Sequence, residues 1–118
     1  MGKLSRRKGA RFEREIARRL SAVTGSTVER NLEEVRAGNS GDLVSDLPCT
    51  FQLKCGKAPS VWRALKEAQE AADGTGQFAV AVVRRNASHS SEQPEDVAVL
   101  SLDDFTEILS QLVAGGVW

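Results

Sequence analysis

Apolar residues recur along the first part of the chain at helical intervals. Phe12, Ile16, Leu20 and Val23 stand four, four and three positions apart, with no proline or glycine between Gly9 and Gly25. This spacing predicts an amphipathic helix over about residues 6–23. The period then shortens. Residues 27–31 and the region around Leu43 read as strands, and in 50–55 the chain alternates so that Phe51, Leu53 and Cys55 share one face while Gln52 and Lys54 share the other. Pro59 precedes a second helix over 60–72, with Trp62, Leu65, Ala68 and Ala72 on one face and Gly74 as its stop. Phe78-Ala79-Val80-Ala81-Val82-Val83, inside a strand over 77–84, is the unbroken apolar run of a strand covered on both sides. A loop at 86–95, a strand at 96–100 and a helix at 102–113, opened by Asp103 and Asp104, complete the reading. In that last helix Leu102, Phe105, Leu109 and Leu112 make an apolar face suited to packing or dimerisation. Strands alternating with helices over 118 residues predict one α/β domain, 1–118.

Three polar features interrupt this pattern. At about 100° per residue, Glu13 falls inside the sector of Phe12, Ile16, Ala17 and Leu20, whereas Glu15 falls on the opposite face among Arg11, Arg14 and Arg18. A carboxylate on an apolar stripe is costly unless it is paired or ligates a cation. Glu13 is therefore either a functional group or a stripe-edge residue neutralised by a nearby arginine. Gln52 and Lys54 raise the same question inside a strand, and Asp42 follows the turn-like Gly38-Asn39-Ser40-Gly41. Two carboxylates, an amide and an ammonium suit a site that holds a divalent cation and stabilises charge on a phosphodiester.

Lys8-Gly9-Ala10-Arg11-Phe12-Glu13-Arg14-Glu15, Val28-Glu29-Arg30, Ser40-Gly41-Asp42-Leu43 and Phe51-Gln52-Leu53-Lys54, in this order, resemble the PD-(D/E)XK nuclease superfamily. The nearest likeness is to the Holliday junction resolvases of archaea and their phage-encoded relatives, over residues 6 to about 85. The resemblance implies a restriction-endonuclease-like fold, a central mixed β-sheet flanked by helices. It also implies catalytic residues Glu13, Asp42, Gln52 and Lys54, with Glu13, Asp42 and Gln52 holding Mg²⁺ or, in its place, Mn²⁺. A homodimer acting on branched DNA follows from the same likeness. One position departs from the pattern: the family has Glu or Asp where this chain has Gln52. An amide oxygen still ligates a hard cation, but one negative charge is lost. Glu33 or Glu34 is available to compensate, and the alternative is a nuclease-fold module that binds DNA without cutting it. A third reading is a nuclease for nicked, flapped or linear duplex DNA. Ser40 is an extra site candidate by likeness and a plain turn residue by composition.

Charge adds a partner. The chain carries 16 basic and 16 acidic residues and no net charge, but they are segregated. Residues 1–30 hold nine Lys or Arg (Lys3, Arg6, Arg7, Lys8, Arg11, Arg14, Arg18, Arg19, Arg30) against Glu13, Glu15 and Glu29, whereas 86–118 hold six acids and no base. A basic start is what phosphate contact requires. Arg6, Arg7, Lys8, Arg11 and Arg30 are the candidate backbone contacts there, joined by Ser40, Lys57, Arg84 and Arg85 further on. The chain has no tyrosine, and both tryptophans lie outside the basic region, so base stacking is poorly supported and a duplex or branched DNA gripped by its backbone fits better.

Other chemistries are excluded. The one histidine, His89, supports neither a zinc site nor a histidine-based catalytic site. Cys49 and Cys55 would lie about 20 Å apart on an extended strand, too far for a bridge, and are expected to be reduced. No run reaches membrane-spanning length and the basic start lacks a signal-peptide core, which predicts a soluble, intracellular protein with no membrane partner. Gln69 is expected to be a solvated surface residue.

Overall fold

A computed structural model describes residues 3–32, 41–85 and 95–117, the side chains of 3–7 and 95 excepted. In order along the chain stand helix α1 (Lys3–Thr24), strands β1 (Val28–Arg30), β2 (Leu43–Ser45) and β3 (Cys49–Gly56), helix α2 (Val61–Ala72), strands β4 (Phe78–Arg85) and β5 (Glu95–Val99), and helix α3 (Leu102–Ala114). Among the described residues these form a mixed sheet ordered β3-β4-β5 and a separate β1-β2 ribbon. β3 runs parallel to β4, with Gln52 opposite Ala81 and Lys54 opposite Val83, and β5 runs antiparallel to β4. A parallel pair needs a crossover, and α2 supplies it.

The alternation read in β3 is realised as two apolar layers. On one side of the sheet Phe12, Ile16 and Ala17 of α1 pack with Val28, Leu43, Phe51, Leu53, Val80 and Val82. On the other, Ala64, Ala68 and Ala72 of α2 pack with Ala79, Ala81 and Val83. β4 is thus covered on both faces, as its unbroken apolar run predicted. α1 begins earlier than expected and ends at the expected place, where Gly25 takes a left-handed φ of 75° and its N–H donates to Ser21 O at 3.0 Å. Ser60 caps α2 by accepting from Arg63 N at 3.2 Å, and Ser101 caps α3 by accepting from Asp104 N at 3.0 Å.

One expectation about side chains is corrected. Trp62 does not join the apolar face of α2: it is 79 % exposed, while Ala64, Leu65, Ala68, Ala71 and Ala72 are buried. At about 100° per residue it lies some 60° beyond the edge of that sector. Among the described residues α3 buries no side chain fully: Leu102, Phe105 and Val113 are exposed, and Ile108, Leu109 and Leu112 are half-buried. Both cysteines are free, and burial pushes the Cys49 thiol up. Among the described residues no helix is long and apolar enough to cross a membrane. His89 and most of the 86–95 loop lie outside the described residues.

Candidate functional site

Asp42 joins the β1-β2 ribbon to the sheet. Its N–H donates to Phe51 O at 2.8 Å, and its carboxylate Oδ2 accepts from Leu53 N at 2.8 Å. Phe51 and Leu53 are two apart on β3, so both groups point from the same strand edge. One residue thus clamps that edge with backbone and side chain together. On its other side Asp42 O accepts from Asn31 N at 2.9 Å, and Asn31 Nδ2 donates to Gly41 O at 3.0 Å. Gly41 is required there: its φ is 80°, and a Cβ would stand 2.8 Å from Phe51 O and 2.9 Å from Thr50 Cγ2.

Glu13 approaches from α1, where its neighbour Phe12 is buried in the core. Arg30 Nε of β1 donates to Glu13 Oε1 at 3.0 Å. Burial raises the Glu13 carboxyl above its ordinary range, the Arg30 hydrogen bond offsets part of this, and the charge of Asp42 raises it again. The arginine pairing expected for a stripe-edge Glu13 is present, and the charge of Asp42 reaches the same carboxylate.

Gln52 and Lys54 lie on the α2 side of β3, as their alternation with buried Phe51 and Leu53 requires. There Lys54 Nζ meets Glu67 Oε1 of α2 at 3.1 Å. Sequence reasoning misses Glu67 and weighs Gln69 on the same helix; Gln69 is exposed, as expected. A signal exists. Glu67 flanks the sector of Ala64 and Ala71 on α2 much as Glu13 sits on the stripe of α1. Asn31, buried at the end of β1, is a second residue that sequence reasoning misses.

Glu13, Asp42 and Gln52 carry oxygen donors of the kind a hard divalent cation takes, with Glu13 reaching in from the α1 side of the sheet and Gln52 lying on the α2 side. Glu13 and Asp42 supply two carboxylates whose mutual repulsion a cation would relieve, and Gln52 supplies an amide oxygen on the strand that Asp42 clamps. Among the described residues no group of three or more His, Cys, Asp or Glu side chains could hold a metal. The carboxylate set described here thus stops at two. Glu33, Glu34 and Ser40 lie outside the described residues.

The candidate DNA contacts divide by environment. Lys8 and Arg11 are exposed on α1; Arg6 and Arg7 belong to the same helix, but their side chains lie outside the described set. Lys57 and Arg85 line one groove of about 300 Å³ with Val61 and Val97. Arg84 is engaged within the fold. Its guanidinium donates to Asp96 (Nε to Oδ1 2.7 Å, Nη2 to Oδ2 2.8 Å) and to Glu15 (Nη1 3.0 Å, Nη2 2.6 Å), and it lies 4.8 Å from the centre of the Phe12 ring. Glu15, outward on α1 as its helical phase suggested and 43 % exposed at its side chain, thus pairs across to β4. Arg84 holds the carboxyls of both Asp96 and Glu15 below the ordinary range. No protein-family model matches the chain, and no curated protein matches it.

Proposed function

We propose that this chain is a metal-dependent endodeoxyribonuclease with a restriction-endonuclease-like fold, acting on branched DNA in the manner of the Holliday junction resolvases its motifs resemble. The observation that carries the reading is the Asp42 clamp: a carboxylate fixed to the edge of the strand that bears Gln52 and Lys54, with Glu13 near enough to feel its charge. Glu13, Asp42 and Gln52 are the residues that would hold Mg²⁺ or Mn²⁺. When bound, such an ion neutralises charge on the phosphate and lowers the pKa of coordinated water. The chain's own part is positional. Asp42 fixes its carboxylate to β3, and Lys54, whose ammonium is held by Glu67, presents that charge to the scissile phosphate. A homodimer, as the resemblance implies, would carry two such sites to two strands.

The second reading is a nuclease-fold module that binds DNA without cleaving it. Gln52 and a described carboxylate set of two favour it. The deciding experiment is cleavage of a labelled four-way junction and of the matching linear duplex, with Mg²⁺, Mn²⁺ or EDTA, by the native chain and Asp42→Asn. The amide keeps an acceptor for Leu53 N–H and removes the charge. Metal-dependent cuts that Asp42→Asn abolishes support the nuclease, and preference for the junction supports the resolvase. Salt-sensitive binding without cuts gives the second reading.

A further inference from the structure

The arginines of α1 are not equivalent. On the flank that faces β5, Arg19 Nη1 meets Asp96 Oδ2 at 3.1 Å, and Glu15 meets Arg84. Positive charge on that flank is paired with acids of the fold. On the flank that faces β1, Arg14 and Arg18 stand one helical turn apart, both exposed, and form no ion pair among the described residues. With Arg30 they line an open groove of about 470 Å³ whose floor includes Val28 and Ala17. Among the described residues Glu29 is the one acid in its lining, against three arginines.

This groove runs into the candidate site. Arg30, part of its wall, donates to Glu13 at 3.0 Å, and the charge of Arg14 also reaches Glu13, lowering its proton affinity. A polyanion lying in the groove would therefore meet two guanidinium groups with no ion-pair partner among the described residues, and then the carboxylate pair. Guanidinium groups suit phosphate oxygens because their donors form a planar fork. We propose that the groove between α1 and β1 is the track along which the phosphodiester backbone of duplex DNA is led to Glu13 and Asp42, with Arg14 and Arg18 contacting successive phosphates. The proposal rests on the nucleic-acid reading above and adds to it which flank of α1 the DNA occupies.

Arg18 and Arg19 provide a matched test, since they are adjacent, exposed and equal in charge but face opposite flanks. Binding of a fluorescent linear DNA duplex is measured by anisotropy in EDTA over a series of salt concentrations, for the native chain, Arg18→Gln, Arg19→Gln and Arg14→Gln/Arg18→Gln. Removing one arginine from a phosphate lowers the slope of log K against log salt by about one. Arg18→Gln is expected to lower it by about one and the double variant by about two, with Arg19→Gln unchanged. Equal effects of Arg18→Gln and Arg19→Gln, or no effect of the double variant, overturn the track while leaving DNA binding intact. Absence of salt-dependent binding by the native chain overturns the nucleic-acid reading, and the track with it.

Discussion

The Lys54 ammonium and the Glu67 carboxylate meet at 3.1 Å across the space between β3 and α2, each side chain about one-third exposed. Pairs this open contribute at most about 1 kcal/mol to stability. The pairing matters more for where it holds the ammonium. Removing it by Glu67→Gln should leave urea unfolding nearly unchanged and slow the proposed metal-dependent cleavage by about 10- to 100-fold, as loss of an orienting partner commonly does. Single-turnover kinetics beside an unfolding curve separate the two effects. A large stability loss with unaltered cleavage would contradict this role.

Gly41→Ala tests the clamp without touching a candidate catalytic group. The left-handed backbone alone costs an alanine roughly 1–2 kcal/mol, and its Cβ would stand 2.8 Å from a backbone oxygen that cannot swing away. The variant is expected to lose about 2 kcal/mol or more in urea unfolding. Mn²⁺ affinity, read by electron paramagnetic resonance, should fall as well, because the Asp42 carboxylate is displaced from Leu53.

Glu13 gives a pH-dependent prediction of unusual sign. Burial raises its carboxyl above the ordinary value of 4.5, so the folded state binds its proton more tightly than the unfolded chain does. Stability from this group is full below 4.5 and lost as pH rises through the raised value. Glu13→Gln, which keeps an acceptor for Arg30, should be more stable than the native chain at neutral pH, with the gain vanishing in acid. Denaturation series at about pH 7 and about pH 4 check this, and Mn²⁺ binding should weaken in the same variant.

Arg84 gives the opposite sign. It holds Asp96 and Glu15 below their ordinary values of 3.8 and 4.5, so their contribution is present above that range and lost as pH falls through the lowered values. Arg84→Met should cost roughly 1–3 kcal/mol at neutral pH, because Asp96 loses its main donor in a partly covered place. The gap between native and variant should close as the acid range is entered. Acid titration followed by circular dichroism gives both curves, and a gap independent of pH would count against the account.

Most elements were legible because their hydrophobic period is unambiguous. The α1 stripe, the alternation of β3 and the unbroken run of β4 each admit one structure. The inward placement of Glu13 was legible for the same reason. What periodicity could not supply was reach across elements. Glu15 lies on the flank of α1, and only the position of β4 brings Arg84 beside it. Trp62 is apolar and near the helical face by phase, yet no described element extends far enough to cover it. Glu67 is an ordinary helix glutamate until α2 is laid on β3, and Asn31 gains its role from a turn ten residues away.

The alanines between α2 and β4 set a clearance. Ala64, Ala68, Ala79 and Ala81 let the helix ride low over the sheet, and at that height a glutamate on its margin meets a lysine on β3. Helix height and ammonium position are consequently one variable. A single added methylene in that layer would act at a distance, as a shim beneath a hinge plate shifts the latch, without altering any residue of the site itself.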